Sequence, residues 1–411
     1  MAIPIPAVDK WELNFVTLGA KWGNWLDKNQ LAFGVESQVW YYDGGRVYLE
    51  LAELTNDQWP GVKAPPAQPP SYYAASILNQ YEDYILAQAN PNPGYRIFPY
   101  GMLMAYRKTG EQKHADTIMH LAKHSAFIAV NMRYLREHGE PKGACWSPWS
   151  IRESAYNTDV MIAYQLLTGA EHQLLNVGVY DCVIADFDEF MDPAGTTFNG
   201  ATGTNPCNSH SCINNFMLGL ALETLINYYE MSALYANPDA SIIPYVGKAL
   251  DFIWANSLEK GTAAMYYNSD PVNGLNATKD TVYTASSLNN LVSPAFAWYY
   301  DKTHEAVYQE RGDAMFAAGV NGAGTNCQAS KTSQDYSYTG KQFSQNYKWS
   351  PDYVKWRSQT PYGTVTSPAD VPPVAYEVET EYAEGQQELA IPPANEGEQE
   401  HSEHNGSESG S

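Results

Sequence analysis

The sequence is short of positive charge. Its 24 lysines and arginines face 46 aspartates and glutamates, which gives a formal net charge of −22 at pH 7. Proteins that bind nucleic acid neutralise phosphates with Lys and Arg, so we do not expect a nucleic-acid partner. The same shortage argues against binding to anionic membrane surfaces.

Long apolar stretches are also missing. No run of about 18 apolar residues occurs, so no transmembrane helix is expected. The N-terminal segment MAIPIPAVDKWE lacks the basic region and apolar stretch of a secretory signal. We therefore expect an extracellular or periplasmic location if a signal segment has been removed, and a cytoplasmic location otherwise.

Cysteine is scarce, with 5 residues in 411, which is not the composition of a disulfide scaffold. The close pair Cys207 and Cys212, in CNSHSC, is compatible with one local disulfide or with two free thiols. His210 lies between them, but the spacing fits no familiar zinc pattern, and HExxH and paired CxxC motifs are absent. No glycine-rich loop with Lys-Ser or Lys-Thr precedes a helix. We predict no metal site and no cofactor.

The sequence does contain a recurring helical hairpin. An apolar pattern at helical spacing begins at Glu36, ends at the turn Thr55-Asn56-Asp57, and is followed by a second amphipathic stretch from Tyr72 to Leu86. The pattern returns, with first helices predicted near residues 36, 95, 151, 212, 284 and 341. Six first helices, five clear partners and no polar capping repeat predict an all-α, (α/α)6-type toroid.

The two ends of the chain differ from this repeat. Residues 1–33 are predicted to form a lead-in segment packed on the toroid, which spans residues 34–358. Several prolines make residues 359–384 an extended segment. Residues 385–411, rich in Glu, Gln, Ser and Gly, are predicted to be a disordered acidic tail.

Connections between hairpins are longer than turns within them. The long ones span about residues 137–150, 192–211, 257–283 and 322–340. Long structureless connections in a compact domain are commonly functional. Each leads into a first helix, so we expect them on one rim, where helix dipoles also direct positive ends. This rim is the predicted site.

Aromatic, amide and charged residues occur near the predicted starts of the first helices. The candidates for substrate binding are Tyr42, Arg46, Tyr95, Arg152, Tyr156, His210, Asn214, Lys341, Gln345 and Tyr347. This mixture suits a sugar chain, because sugar hydroxyls hydrogen-bond to amides and carboxylates while sugar C–H faces stack on aromatic rings.

Hairpins of about 60 residues with TGE-type turns, and WYYDGGRVY at a first-helix start, resemble the six-hairpin (α/α) toroids of glycoside hydrolases and polysaccharide lyases. The resemblance covers residues 34–357 as a repeat architecture. Asp43-Gly44 stands where some toroid mannanases carry two adjacent aspartates. The resemblance implies a glycan bound in a cleft at the helix N-termini.

Glycoside hydrolysis is the first of three functions under consideration. It requires two carboxyl groups, one of which donates a proton and has a raised pKa. Asp43 and Glu153 are the predicted catalytic pair, with Glu36 in reserve. Each of these carboxylates could equally cap or pair with a helix N-terminus.

The second function is β-elimination on a uronic acid chain, which needs a base and groups that neutralise the substrate carboxylate. The sequence offers such groups near the same rim: Tyr156, His210, Asn214, Arg152 and Lys341. The acidic composition disfavours a polyanionic substrate, so hydrolysis ranks first. A non-catalytic module for glycan binding or assembly is the third.

Overall fold

Helices dominate the chain. The computed structural model describes residues 4–88, 96–125, 151–176, 204–207, 210–269, 284–323 and 339–358, together with a few isolated positions between these ranges. The helices are α1 (Val8–Leu26), α2 (Gly44–Thr55), α3 (Pro70–Ala87), α4 (Tyr100–Thr109), α5 (Gln112–His124), α6 (Ile151–Thr168), α7 (Gln173–Asn176), α8 (Asn215–Leu234), α9 (Ile242–Asn256), α10 (Ser293–Thr303), α11 (Ala306–Asn321), α12 (Gly340–Tyr347) and α13 (Ser350–Ser358). The strands are β1 (Thr204–Cys207), β2 (His210–Asn214) and β3 (Asn268–Ser269), and Ser286–Leu291 is a 3₁₀ helix.

The first helices form an inner ring. Going around it, α2 packs on α4, α4 on α6, α6 on α8, and α8 on the 3₁₀ helix and α10. The 3₁₀ helix packs on α12, and α10 packs on α13. Helix α12 also packs on α2, which closes the ring. Helices α3, α5, α7, α9 and α11 each pack against the inner helix before them. The predicted all-α (α/α)6-type toroid is confirmed.

The sixth outer position is filled by α1, within the segment predicted as a lead-in. This helix packs against α2, α3, α11 and α12, between the last hairpin and the first. Nε1 of Trp11 donates to Oγ of Ser350 at 2.9 Å, and the ring of Phe15 stacks on Tyr347 with centroids 4.3 Å apart. We infer that α1 belongs to the toroid as its sixth outer helix.

Four inner elements begin later than the sequence predicts. Turns occupy much of the chain between residues 33 and 43, and Asp43 has a left-handed conformation (φ 59°), so α2 begins only at Gly44. The other three starts, predicted near 95, 212 and 284, are at Tyr100, Asn215 and Ser286. The starts predicted near 151 and 341 are at Ile151 and Gly340.

A small antiparallel sheet, in the order β1-β2-β3, precedes α8, and its strand β2 includes residues 212–214, where the sequence predicts the start of that helix. In this sheet Cys207 pairs with His210, and Cys212 pairs with Asn205. The two cysteines are therefore not directly opposite each other. His210 and Asn214 lie on β2 rather than at the start of a helix.

The sequence predicts one helix from Lys341 to Arg357 with a kink at Pro351. The structure has two helices instead, α12 and α13, and Pro351 is the second residue of α13. Proline is favoured in a first helical turn, because its missing N–H has no partner there. The break places Lys348 and Asp352 against side chains of α8 and α2.

Some predictions concern residues outside the described part of the chain. Tyr95, residues 359–411 and most of the four long connections belong to this group. Within the described ranges, no helix combines the length and apolar character needed to cross a membrane.

Candidate active site on the toroid axis

Three inner helices bring an ionisable residue to the same depth. Asp159 and Glu223 are the ninth residues of α6 and α8, and Lys348 directly follows the eight residues of α12. With a rise of about 1.5 Å per residue, each lies about 12 Å from its helix start. All three are buried, and Nζ of Lys348 lies 2.6 Å from Oε2 of Glu223. Their equal depth makes them one layer.

Arg46 of α2 connects this layer to the rest of the ring. Its Nη1 donates to Oε1 of Glu223 at 3.0 Å, and its Nη2 donates to Oδ2 of Asp352 at 2.9 Å. Its Nε donates to Oε1 of Glu50, one turn along α2, at 2.9 Å. These charge-assisted hydrogen bonds join three inner helices through one guanidinium group.

Asp43 caps α2 and also holds the start of α4. Its Oδ1 accepts from the N–H of Arg46 at 3.3 Å, and its Oδ2 accepts from the N–H of Gly101 at 2.9 Å. A Cβ at residue 101 would lie 2.4 Å from Oδ1 of Asp43, so this approach requires glycine. Burial raises the pKa of Asp43 to about 6, although these two N–H groups lower it.

Two further carboxyl groups have raised pKa values. Burial raises the pKa of Asp159 to about 7, with a further contribution from Glu223, while Lys348 lowers it. Oδ1 of Asp159 accepts from the hydroxyl of Tyr100 at 2.8 Å. Burial also raises the pKa of Glu50 to about 8. These carboxyl groups therefore change protonation state near neutral pH.

We use the term axial network for the seven residues Asp43, Arg46, Glu50, Asp159, Glu223, Lys348 and Asp352. It holds two cations against five carboxyl groups. Placing like charges together in a buried site favours protonation of some carboxyl groups. Burial is the main cause of the raised pKa values, and neighbouring carboxylates raise the pKa of Glu50 and of Asp159 further.

Nearer the helix starts, the axis-facing side chains are polar. Arg152 and Lys341 are the second residues of α6 and α12, and Tyr156 and Gln345 are the sixth residues. The Tyr156 hydroxyl and Nε2 of Gln345 are buried without a hydrogen-bond partner among the described residues. A buried polar group left unpaired costs about 1–3 kcal/mol. These two groups are thus suited to hydrogen-bonding a ligand.

Two tyrosines that precede α2, Tyr41 and Tyr42, lie close to the starts of α12 and α6. Nζ of Lys341 lies 5.3 Å from the ring centroid of Tyr41, and the rings of Tyr41 and Tyr42 are edge-to-face at 5.0 Å. Burial raises the pKa of Tyr42 and of Tyr156 well above the usual value, despite the opposing charge of Arg152. Both hydroxyl groups therefore remain protonated donors.

The structure brings most of the predicted site residues together at the axis. This group consists of Tyr42, Asp43, Arg46, Arg152, Glu153, Tyr156, Lys341 and Gln345. Within it, Oε1 of Glu153 accepts from Nε and Nη2 of Arg152 at 3.0 and 2.8 Å. Oε2 of Glu153 is buried without a hydrogen-bond partner in the described ranges.

Other predicted residues lie elsewhere. Glu36 pairs with Nη2 of Arg96 at 3.2 Å and is partly exposed. Tyr347 stacks on Phe15 in the core between α12 and α1, because it lies on a different face of α12 from Lys341 and Gln345. His210 and Asn214 are on β2, and Tyr95 is outside the described residues.

The predicted site residues do not include Glu223 or Lys348, which form the centre of the axial network. One signal for Glu223 is present in the sequence, since it is the sole charged residue in FMLGLALETLINYY, residues 216–229. A carboxylate in the middle of an apolar helix needs a buried partner. That partner, Lys348, is far away in the sequence and cannot be identified without the fold.

Known proteins share this architecture. The chain has the six-hairpin (α/α) toroid fold of glycoside hydrolases, which confirms the resemblance seen in the sequence. Among solved structures, an unsaturated glucuronyl hydrolase specific for heparin matches with a TM-score of 0.52 and 10% identity, over 84% of this chain and 97% of that chain. A mutant unsaturated glucuronyl hydrolase from Streptococcus agalactiae matches with a TM-score of 0.52 and 12% identity, over 87% of this chain and 93% of that chain. No protein-family model and no curated protein matches the sequence.

Proposed function

We propose that the protein is a glycoside hydrolase that binds a saccharide on the toroid axis, above the axial network. The observation that supports this most is the presence of two buried carboxyl groups at the start of α4, where Asp43 accepts from the N–H of Gly101 and Asp159 accepts from the hydroxyl of Tyr100. Burial raises their pKa values to about 6 and about 7. Hydrolysis of a glycosidic bond uses one protonated and one ionised carboxyl group. At neutral pH this pair supplies both forms.

Asp159 is the proposed proton donor, because its higher pKa keeps more of it protonated at neutral pH. Asp43 is the proposed ionised partner, because hydrogen bonds from two N–H groups favour its charged form. Glu153 is the alternative partner, since its Oε2 is buried and unpaired in the described ranges. Glu36 ranks last, because it is partly exposed and paired with Arg96.

Uronate-containing saccharides are the first proposed substrates. The structural neighbours described above are named glucuronyl hydrolases, and the start of this site carries two cations, Arg152 and Lys341. Arg152 is paired with Glu153, whereas Lys341 lies over the ring of Tyr41. A carboxylate on the sugar would be attracted to this end of the axis despite the acidic composition of the whole chain.

The test is hydrolysis of a panel of neutral and uronate-containing saccharides, followed by measurement of new reducing ends. The D159N and D43N variants should each lose about 100-fold or more in kcat, because removing a positioned acid or base has that effect. D188N is the matched control, since Asp188 is exposed and pairs with Lys248 on the surface. Wild-type kcat in both axial variants would refute the assignment, provided that circular dichroism shows them folded.

Lyase activity is the second candidate, and the unpaired Tyr156 hydroxyl beside Arg152 is the observation that favours it. Burial raises the pKa of Tyr156 well above its usual value, which makes it a poor base and places this candidate second. A lyase creates an unsaturated uronate with ultraviolet absorbance, whereas a hydrolase acting on saturated substrates does not. Binding without either product would favour a glycan-binding module.

A further inference from the structure

Two histidines lie side by side at the end of α5, on the outer ring. His120 and His124 are four residues apart, on one helix face, and their ring centroids are 4.6 Å apart. Nε2 of His120 is buried without a hydrogen-bond partner among the described residues. His172 differs, because its ring nitrogens meet the carbonyl of Ala122 and the N–H of Leu174. Nε2 of His120 is thus open to a ligand, and the ring of His124 lies next to it.

Both rings are suited to binding a cation. A neutral imidazole has a free lone pair, which is the form that binds metals, and Nε2 of His120 has no hydrogen-bond partner among the described residues. The pair also lies in the last turns of α5, where the helix dipole favours positive charge.

We propose that His120 and His124 together bind one divalent transition-metal ion, such as Cu²⁺ or Zn²⁺, through their two imidazoles. Histidines four residues apart on a helix are the spacing that holds zinc in HExxH helices. Among the described residues, no group of three or more His, Cys, Asp or Glu side chains could hold a metal. Two imidazoles therefore supply the protein ligands, and water completes the coordination sphere.

The ligand type sets the order of affinity. Imidazole nitrogen binds Cu²⁺ more tightly than Zn²⁺, whereas Mg²⁺ requires oxygen ligands. Isothermal titration of the full chain should therefore show binding of Cu²⁺ and Zn²⁺ at this site, with Cu²⁺ the tighter, and no comparable binding of Mg²⁺. Failure of the wild-type protein to bind either transition metal would refute the proposal.

The variants H120Q and H124Q locate the site. Each should lose one equivalent of bound metal, and the Cu²⁺ electron paramagnetic resonance spectrum should change from two nitrogen ligands to one or none. The control is H304N, because His304 is exposed and has a left-handed conformation (φ 58°) that asparagine tolerates. Zn²⁺ should raise the Tm of the wild type and of this control, but not of the other two variants.

Persistence of the full metal stoichiometry in H120Q or H124Q would overturn the proposal. That result would place the metal elsewhere, for example at His401 and His404 in the C-terminal segment. Near-ultraviolet circular dichroism of each variant separates loss of the site from loss of the fold. The experiment does not depend on the glycosidase proposal, since it measures binding and not turnover.

Discussion

Two regions close the ring by different physical means. The aromatic seam, formed by Trp11, Phe15, Phe343 and Tyr347, joins α1 to α12 through rings whose centroids are 4.3 to 6.2 Å apart. The axial network joins the inner helices through buried ion pairs of Arg46 and Lys348. Burial of aromatic surface does not depend on protonation, whereas the ion pairs do. The stability supplied by the seam is therefore insensitive to pH, whereas the ion pairs on the axis respond to pH.

The largest effect is expected when the axial network loses its central cation. R46M leaves Glu50, Glu223 and Asp352 without their shared partner, and removal of one partner of a buried pair costs about 3–5 kcal/mol. Urea unfolding at pH 8 measures this loss. The loss should shrink at lower pH, because burial raises the pKa of Glu50 to about 8, and the protonated Glu50 no longer needs the guanidinium. An equal loss at every pH would show that the contribution of the axial ion pairs to stability does not depend on protonation.

In the aromatic seam, F15L should lower the free energy of unfolding by about 1–2 kcal/mol, because leucine fills part of the ring volume and loses the stacking on Tyr347. The same urea measurements at acidic and alkaline pH should give the same loss. A strong pH dependence of this loss would show that the seam and the axis are not independent.

A smaller effect is expected from removing one titrating group, in the variant E50Q. Burial raises the pKa of Glu50 to about 8 in the folded protein. At pH values above the unfolded-state pKa of Glu50, the folded protein therefore binds more protons than the unfolded protein. The stability that this group contributes is present at low pH and lost as pH rises to about 8. Glutamine does not titrate. Between pH 5 and 9, the free energy of unfolding of E50Q should therefore fall by at least about 1 kcal/mol less than that of the wild type. Parallel stability curves would refute this.

The smallest effect is expected at an exposed ion pair far from both regions. Lys248 and Asp188 lie 3.0 Å apart with side chains 62% and 48% exposed. K248M should change the free energy of unfolding by about 0–1 kcal/mol, because solvent screens the pair. It serves as the control for R46M, and a loss as large as that of R46M would remove the distinction between buried and exposed pairs.

Much of the fold can be predicted from the sequence because amphipathic periodicity is a local signal. The apolar periodicity of the sequence predicts partner helices over Ile243–Ala255 and Tyr308–Ala318. The structure has α9 (Ile242–Asn256) and α11 (Ala306–Asn321) at these places, within a few residues. The start of α2 is not evident from this signal, because the apolar residues before Gly44 have helical spacing although they lie in turns. The left-handed Asp43 is what ends the preceding turns.

The site is less predictable, because its pairs are distant in sequence. Asp43 and Arg46 are near a helix start and could be identified, whereas Glu223 and Lys348 are 125 positions apart (348 − 223) and meet through ring closure. Helix α1 presents the same difficulty. Its amphipathic pattern predicts a packed helix, but its partners lie near the end of the ring.

Helix α1 is synthesised long before α12 and Ser350, its partners near the end of the ring. The hydrogen bond from Trp11 spans 339 positions, so the first helix leaves the ribosome long before its partner exists. Until then the apolar side chains of Trp11 and Phe15 face water or a chaperone. The nascent chain cannot complete its ring until almost all of the toroid has been synthesised, and a stalled chain would expose a ready surface for aggregation.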